Sequence, residues 1–202
     1  MRAHPWPHPL PPPILRCIMP LSAPAEREPL HRRAITMHGY RRADGLFDIE
    51  GHLEDTKTYP FGNLDRGTIQ PGEALHGMWL RLTVDDDLTI LACEAATDFS
   101  PYSICPGAAP NFAALTGVRI GPGFTRAVKE RVGGVHGCTH LREMLAQMAT
   151  VAFQTVYPVR RKREADSPAA AEAARNRMVG SCLAYAPDSP IVTERWGKAE
   201  PG

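Results

Sequence analysis

Apolar and charged residues alternate along the segment that follows a proline-rich start. From residue 46 to 59 the apolar positions, among them Phe47 and Ile49, fall on one side of an extended chain, and most charged positions fall on the other. Residues 34–42 also have the character of a strand, and Ala43–Gly45 supplies the aspartate and glycine of a tight turn. The pattern therefore predicts a β-hairpin with one buried face.

A second hairpin is predicted between residues 78 and 92. Apolar residues at even-numbered positions alternate with Trp79 and Arg81, and the run Asp85–Asp87 provides a turn. Three consecutive acids also occur in calcium loops, but the ligand spacing of such a loop is absent. Residues 60–77 contain several glycines and prolines and are predicted to form a loop.

The second half of the chain is predicted to be helical. Short helices over 109–116 and 125–132 end at glycines, and a longer helix over 139–156 carries apolar residues at helical spacing. Pro158 is expected to end this helix. Strands that precede helices favour an α+β fold, in which antiparallel β-hairpins form one sheet and helices pack on one of its faces.

Composition divides the chain into three parts. Residues 1–30 are rich in proline and predict a disordered leader, within which Met19 is the expected start of translation. Residues 31–158 are expected to form the α+β domain. Residues 159–202 are interpreted as a mobile linker and a short tail that docks back on the domain, because 180–196 is again apolar.

Charge and cysteine content restrict the class of protein. The chain has 202 residues, 43% of them hydrophobic, and a formal net charge of +1. This balance argues against a nucleic-acid partner. A membrane partner is not expected either, since no apolar run reaches the roughly 20 residues of a membrane span. Five scattered cysteines do not form a disulfide framework and favour a reducing cytoplasm.

The polar side of the first hairpin is one candidate site. Asp48, Glu50 and His52 are two residues apart and point the same way from a strand. A carboxylate beside an imidazole orients a general base, so we predict that His52 acts as acid and base with Asp48 or Asp55. The alternative is an ordinary solvent-exposed face of a sheet.

Two cysteines at predicted helix starts form the other candidate site. Cys138 begins the long helix, whose N–H groups and dipole stabilise a thiolate, and His140 follows two residues later. Cys105 precedes the first helix. We predict Cys138 and His140 as catalytic residues, and Cys105, Cys138 and His140 as ligands of zinc or an iron–sulfur cluster. The alternative for Cys138 is a buried, inert cysteine beside a capping Thr139.

The chain resembles a bacterial family of proteins of unknown function. The resemblance rests on GYRRADGLFDIEGHLEDTK at residues 39–57, on Met78–Thr83 and on GCTHL at residues 137–141, and it extends from about Leu30 to Tyr157. It implies that the hairpin and the segment of Cys138 and His140 belong to one site. It implies no activity.

A second resemblance concerns architecture. The order of hairpin, helix-entry cysteine, glycine and second helix-entry cysteine is similar to that of scaffold domains on which iron–sulfur clusters are assembled. Cys105, Gly117 and Cys138 occupy the corresponding positions. The earliest scaffold cysteine has no counterpart, with His76 nearest, and the histidine that precedes the last scaffold cysteine is replaced by Gly137.

Three functions follow as hypotheses. The first is a metal or cluster site at Cys105, Cys138 and His140. The second is a cofactor-free enzyme acting on a small molecule, with Cys138 as nucleophile and His52 as acid and base with Asp48 or Asp55. The third is a non-catalytic binding or assembly module that presents the long helix to a partner.

Overall fold

The computed structural model describes residues 21–197, so Cys17 and the first 20 residues lie outside the described part of the chain. Four long antiparallel strands form the main sheet in the order β1-β2-β5-β6, and a small separate hairpin pairs β3 with β4. The strands are β1 (His31–Arg41), β2 (Phe47–Lys57), β3 (Phe61–Asn63), β4 (Gly67–Ile69), β5 (Ala74–Val84) and β6 (Ile90–Phe99).

Helices follow the strands. A 3-10 helix covers Cys105–Leu115 and is followed by α1 (Phe124–Val132), α2 (Thr139–Asp166), α3 (Pro168–Met178) and α4 (Pro190–Trp196), with short 3-10 turns at Gly134–His136 and Leu183–Tyr185. The predicted α+β class, with antiparallel hairpins in one sheet, is confirmed. The predicted helix at 109–116 is a 3-10 helix instead, because Pro106 stands at its start and Pro110 lies inside it.

The core lies between the sheet and α2. Every second residue of β2 from Phe47 to Leu53 is buried, and α2 lies over β1, β2 and β5. Two glycines permit this close approach. A Cβ on Gly51 would lie 2.7 Å from Cε of Met144, and a Cβ on Gly39 would overlap the side chain of Thr155.

The long helix does not end at Pro158, and the prediction that it does is wrong. Val156 before the proline is buried and Val159 after it packs against the core, so packing holds the helix together although one backbone hydrogen bond is lost. The buried apolar residues of α2, among them Leu141, Met148 and Val156, belong to the core. Among the described helices, none has both the length and the apolar character needed to cross a bilayer.

Candidate functional site

A buried carboxylate lies beneath the start of α2. Asp55 is near the end of β2 and shares the parity of Phe47, Ile49 and Leu53, so its side chain points to the core face of the sheet and is only 1% exposed. The pairing of β2 with β5 shifts register immediately after it, between Asp55 and Thr56. Because a buried charge is costly unless it is paired, the surroundings of Asp55 determine whether it is tolerated.

Arg33 pairs with this carboxylate through two hydrogen bonds. It stands opposite Asp55 in the register of β1 and β2, and its Nε and Nη2 atoms donate to the two carboxylate oxygens at 2.8 and 2.9 Å. Its Nη1 atom donates to Glu143 on α2 at 2.8 Å. Burial alone would raise the pKa of Asp55, but the hydrogen bonds and charge of Arg33 outweigh it and hold that pKa below its usual value.

Two histidines occupy the rest of the carboxylate. Nδ1 of His76 on β5 lies 2.9 Å from one oxygen of Asp55, and Nε2 of His31 on β1 lies 3.2 Å from the other. A carboxylate offers about four acceptor positions, and Arg33 uses two of them. Arg33 and His76 therefore hydrogen-bond the carboxylate of Asp55, and the ring of His31 lies within ion-pair distance of it.

A third histidine reaches the same carboxylate from α2. His140 lies in the first turn of the helix, with Nε2 4.0 Å from Asp55 and its ring centroid 3.8 Å from that of His76. Burial lowers the pKa of both His76 and His140. The charge that His140 would carry when protonated lowers the pKa of His76 further, and the charge of Arg33 lowers the pKa of His140 further. Both rings are therefore neutral at neutral pH, and each keeps one unprotonated nitrogen.

The thiol of Cys138 lies next to this group. Cys138 is the residue at the N-cap of α2, and its Sγ is 3.9 Å from Nδ1 of His140 and 3.7 Å from Sδ of Met78. Cys138 and Cys105 line one cavity of about 280 Å³, together with His76, Tyr102 and His140. The two predicted thiols and His140 thus face a common cavity.

The potential metal ligands that lie closest together differ from the predicted set. Among residues 21–197, the group of three potential ligands whose atoms lie within 4.8 Å of one another is Asp55, His76 and His140. Cys105, Cys138 and His140 are not drawn together as closely, because the two thiols approach the cavity from different elements, the 3-10 helix and α2.

The sheet separates the other predicted residues from this cavity. Asp48 and His52 have the opposite parity to Asp55, so they lie on the face of β2 that α2 does not cover. There His52 stacks on Trp79 with ring centroids 3.9 Å apart, and Asp48 accepts a hydrogen bond from Thr83 at 2.7 Å. The predicted partnership of His52 with Asp55 and Cys138 is therefore not formed.

Three residues beside Asp55, namely His31, Arg33 and His76, are not among the predicted site residues. The sequence pattern predicts a loop at His76, although its even number continues the buried parity of Met78 and Leu80 in β5. Arg33 shares its parity in β1 with Ile35 and Met37, which pack against the core. For His31, Arg33 and His76 the signal in the sequence is strand parity, which has to be followed to the end of each strand.

The chain belongs to a family of proteins of unknown function, DUF2889, whose model matches residues 31–154. All members of the cluster around Asp55 fall within these residues. No curated protein and no solved structure matches the chain.

Proposed function

We propose that this DUF2889 domain is a thiol-dependent enzyme acting on a small molecule, with Cys138 as its nucleophile and His140 as the general base. The observation that carries the proposal is the alignment of three groups. Cys138 Sγ lies 3.9 Å from one nitrogen of His140, and the other nitrogen of that ring lies 4.0 Å from the buried Asp55 carboxylate. Thiol, imidazole and carboxylate in this order are the parts of an activated nucleophile.

The carboxylate favours the protonation states that the chemistry needs. A negative oxygen beside Nε2 of His140 favours the tautomer with its proton there, which leaves the lone pair of Nδ1 toward the thiol. Because burial lowers the pKa of His140, the ring is neutral at neutral pH and free to accept a proton. Arg33 in turn keeps Asp55 ionised. Asp55 is thus a positioning residue that acts through the imidazole.

The start of α2 supports an acyl substrate. The first N–H groups of a helix have no partner inside the helix, and the side chain of Cys138 does not cap those of α2. These groups are donors for an oxygen that becomes negatively charged beside the nucleophile. Met78 and Tyr102 provide apolar cavity wall. These features favour a small ester or thioester.

The proposed reaction consists of acylation of Cys138 and hydrolysis of the resulting thioester. Sγ of Cys138 attacks the carbonyl carbon while His140 accepts the thiol proton. The bond from that carbon to the leaving oxygen or sulfur then breaks, and His140 returns the proton to the leaving group. Water attacks the thioester formed on Cys138, giving up a proton through His140, and the free thiol and a carboxylic acid result.

Alkylation of individual cysteines tests the nucleophile. Wild-type protein and His140→Gln are treated with iodoacetamide between pH 6 and 9, and each cysteine peptide is quantified by mass spectrometry. Cys138 is expected to react more slowly in His140→Gln than in wild type, because the base is lost. His136→Gln, which changes an exposed histidine outside the cluster, is the matched control. Equal rates for Cys138 in all three proteins contradict the proposal.

A burst assay tests acyl transfer directly. With p-nitrophenyl acetate, wild-type protein is expected to release about one nitrophenolate per chain before slower turnover, since each thiol is acylated once. Cys138→Ser should lack the burst, whereas Cys182→Ser, which changes an exposed thiol, should retain it. A burst that survives Cys138→Ser assigns the reaction to another residue and overturns the proposal.

The clustering of Asp55, His76 and His140 favours a second candidate, a Zn²⁺ or Fe²⁺ site of two histidines and one carboxylate. The hydrogen bond from His76 to Asp55 would then be replaced by bonds from both residues to the ion. Metal analysis of protein purified without chelators distinguishes the candidates. About one ion per chain, lost in His76→Ala and kept in Cys138→Ser, supports the metal site, and a metal-free protein that still shows the burst rejects it.

The proposed chemistry also requires a reducing compartment. The described cysteines Cys93, Cys105, Cys138 and Cys182 are all unpaired. A nucleophilic thiol remains active only where disulfide formation is suppressed, so we infer a cytoplasmic location.

A further inference from the structure

A buried arginine lies near the end of α2. Arg160 is 5% exposed, and its Nη1 atom has no hydrogen-bond partner among residues 21–197. Burial lowers the pKa of Arg160, and the charges of Arg177 and Arg163 lower it further. A guanidinium held away from water is costly unless an anion compensates it.

The carboxylates near Arg160 are already engaged by other arginines. Asp87 and Glu164 belong to the same cavity wall as Arg160, yet neither is within ion-pair distance of it. Arg163 pairs with Asp87 at 2.8 Å and with Asp86 at 3.3 Å, and Arg119 lies 3.9 Å from Asp87. Glu164 pairs with Arg195 at 2.9 Å and with Arg161 and Arg177 at 3.7 Å each.

Two cavities meet at these arginines. One of about 270 Å³ and another of about 410 Å³ share Arg119, Arg160 and Arg177 in their walls. Arg163 lines the first, and Ile120 and Pro122 add apolar wall to the second. Four guanidinium groups therefore line a space with two carboxylates, which leaves positive charge in excess.

We propose that this pair of cavities, which we call the arginine cavity, binds a phosphate-bearing small molecule whose phosphate oxygens accept hydrogen bonds from Arg160. A planar guanidinium matches a tetrahedral oxyanion with two parallel hydrogen bonds, and a phosphate brings more than one negative charge to an excess of positive charge. The apolar wall is available for the remainder of the ligand. The arginine cavity lies at the opposite end of α2 from Cys138, so it is a different site from the thiol centre.

Binding of inorganic pyrophosphate to the full chain tests the arginine cavity. Calorimetric titration at constant ionic strength should show saturable binding to wild type, at least tenfold weaker binding to Arg160→Met, and an intermediate affinity for Arg160→Lys, which keeps the charge but loses the fork. Arg126→Gln removes an exposed arginine that pairs with Glu130 of α1, and this variant should bind pyrophosphate like wild type. Equal affinity in wild type and Arg160→Met overturns the proposal.

Thermal unfolding without ligand gives a second, independent measurement. If Arg160 is kept for a ligand, Arg160→Met should match or exceed the wild-type Tm when no phosphate is present, and pyrophosphate should raise the Tm of wild type alone. A large loss of Tm in ligand-free Arg160→Met would show a structural role and contradict the proposal. A short single-stranded oligonucleotide that binds more tightly than pyrophosphate would overturn the assignment to a small molecule.

Discussion

Nδ1 of His76 lies 2.9 Å from the carboxylate of Asp55, on neighbouring strands that face each other in register. The carboxylate accepts, so the proton of the neutral ring stands on Nδ1 and the lone pair on Nε2. Asp55 also lies beside the protonated nitrogen proposed for His140. One buried acid thereby sets the tautomers of two imidazoles, which makes it the residue on which the site most depends.

Asp55→Asn should therefore destabilise the fold as well as the site. The amide cannot accept both hydrogen bonds of Arg33, and a charge is left partly buried without compensation. We expect a loss of roughly 2–4 kcal/mol in the free energy of unfolding. This is less than for a fully buried ion pair, because the side chain of Arg33 is 33% exposed and water can solvate part of its charge. Urea unfolding measures the loss. Asp44→Asn, at an exposed turn, should reduce the free energy of unfolding much less, and equal losses in both variants would contradict this account.

Stability should depend on pH in two windows. The pKa of His76 and of His140 lies below the ordinary 6.5, so on acidification the unfolded chain takes up protons before the folded protein does. The free energy of unfolding is then complete above about pH 6.5 and falls as the pH drops below it. A further decline, beginning below the ordinary 3.8, follows as Asp55 is protonated through its own lowered pKa.

Histidine variants identify the first window. His76→Gln keeps a donor for Asp55 but does not titrate, so the decline below about pH 6.5 should become shallower, and His136→Gln should leave it unchanged. Denaturant midpoints at several pH values between 4.5 and 8 provide the measurement. An unchanged slope in His76→Gln would exclude this histidine as a source of the decline.

Gly39 should not tolerate a side chain. A Cβ there would stand 2.8 Å from Cβ of Thr155, which is fixed to the backbone of α2, so the helix must shift. Gly39→Ala is expected to cost about 1–3 kcal/mol, as over-packed cores do. In Gly62→Ala the new methyl group meets nothing within 4 Å, and the change should stay within about 0.5 kcal/mol. Chemical denaturation of the two variants, compared with wild type, checks this difference.

Cys93 should be alkylated only when the protein unfolds. Burial raises the pKa of its thiol to about 12, and the side chain lies in the core beneath the sheet. In native protein at pH 8, iodoacetamide should modify the exposed Cys182 and leave Cys93 intact, while in denaturant both should react. Rapid modification of Cys93 under native conditions would show that this part of the core opens locally. Its protection also serves as a test of folding in every variant proposed above.

Strand parity accounts for what the sequence could predict. Alternation of apolar and charged residues located both hairpins, since one buried face requires a period of two. The start of α2 at Thr139 was predicted from its helical spacing, and its N-terminal thiol beside His140 was predicted with it. The division into a leader, a domain and a linker with a docked tail stays a prediction.

Tertiary packing accounts for what the sequence could not predict. The passage of α2 through Pro158 depends on the packing of Val156 and Val159 in the core. The local sequence around the proline does not indicate this packing. The cluster around Asp55 depends on the strand order, because β1 and β5 must flank β2 for Arg33 and His76 to meet one carboxylate. Local spacing could not supply that order.

The unbroken course of α2 keeps the two proposed sites far apart. From Cys138 to Arg160 the helix rises about 33 Å, at roughly 1.5 Å per residue. That span exceeds the length of an ordinary small metabolite, so the ligand proposed for the arginine cavity and the substrate proposed for Cys138 would be separate molecules. Substitutions at one end of α2 should therefore abolish one proposed site and leave the other intact.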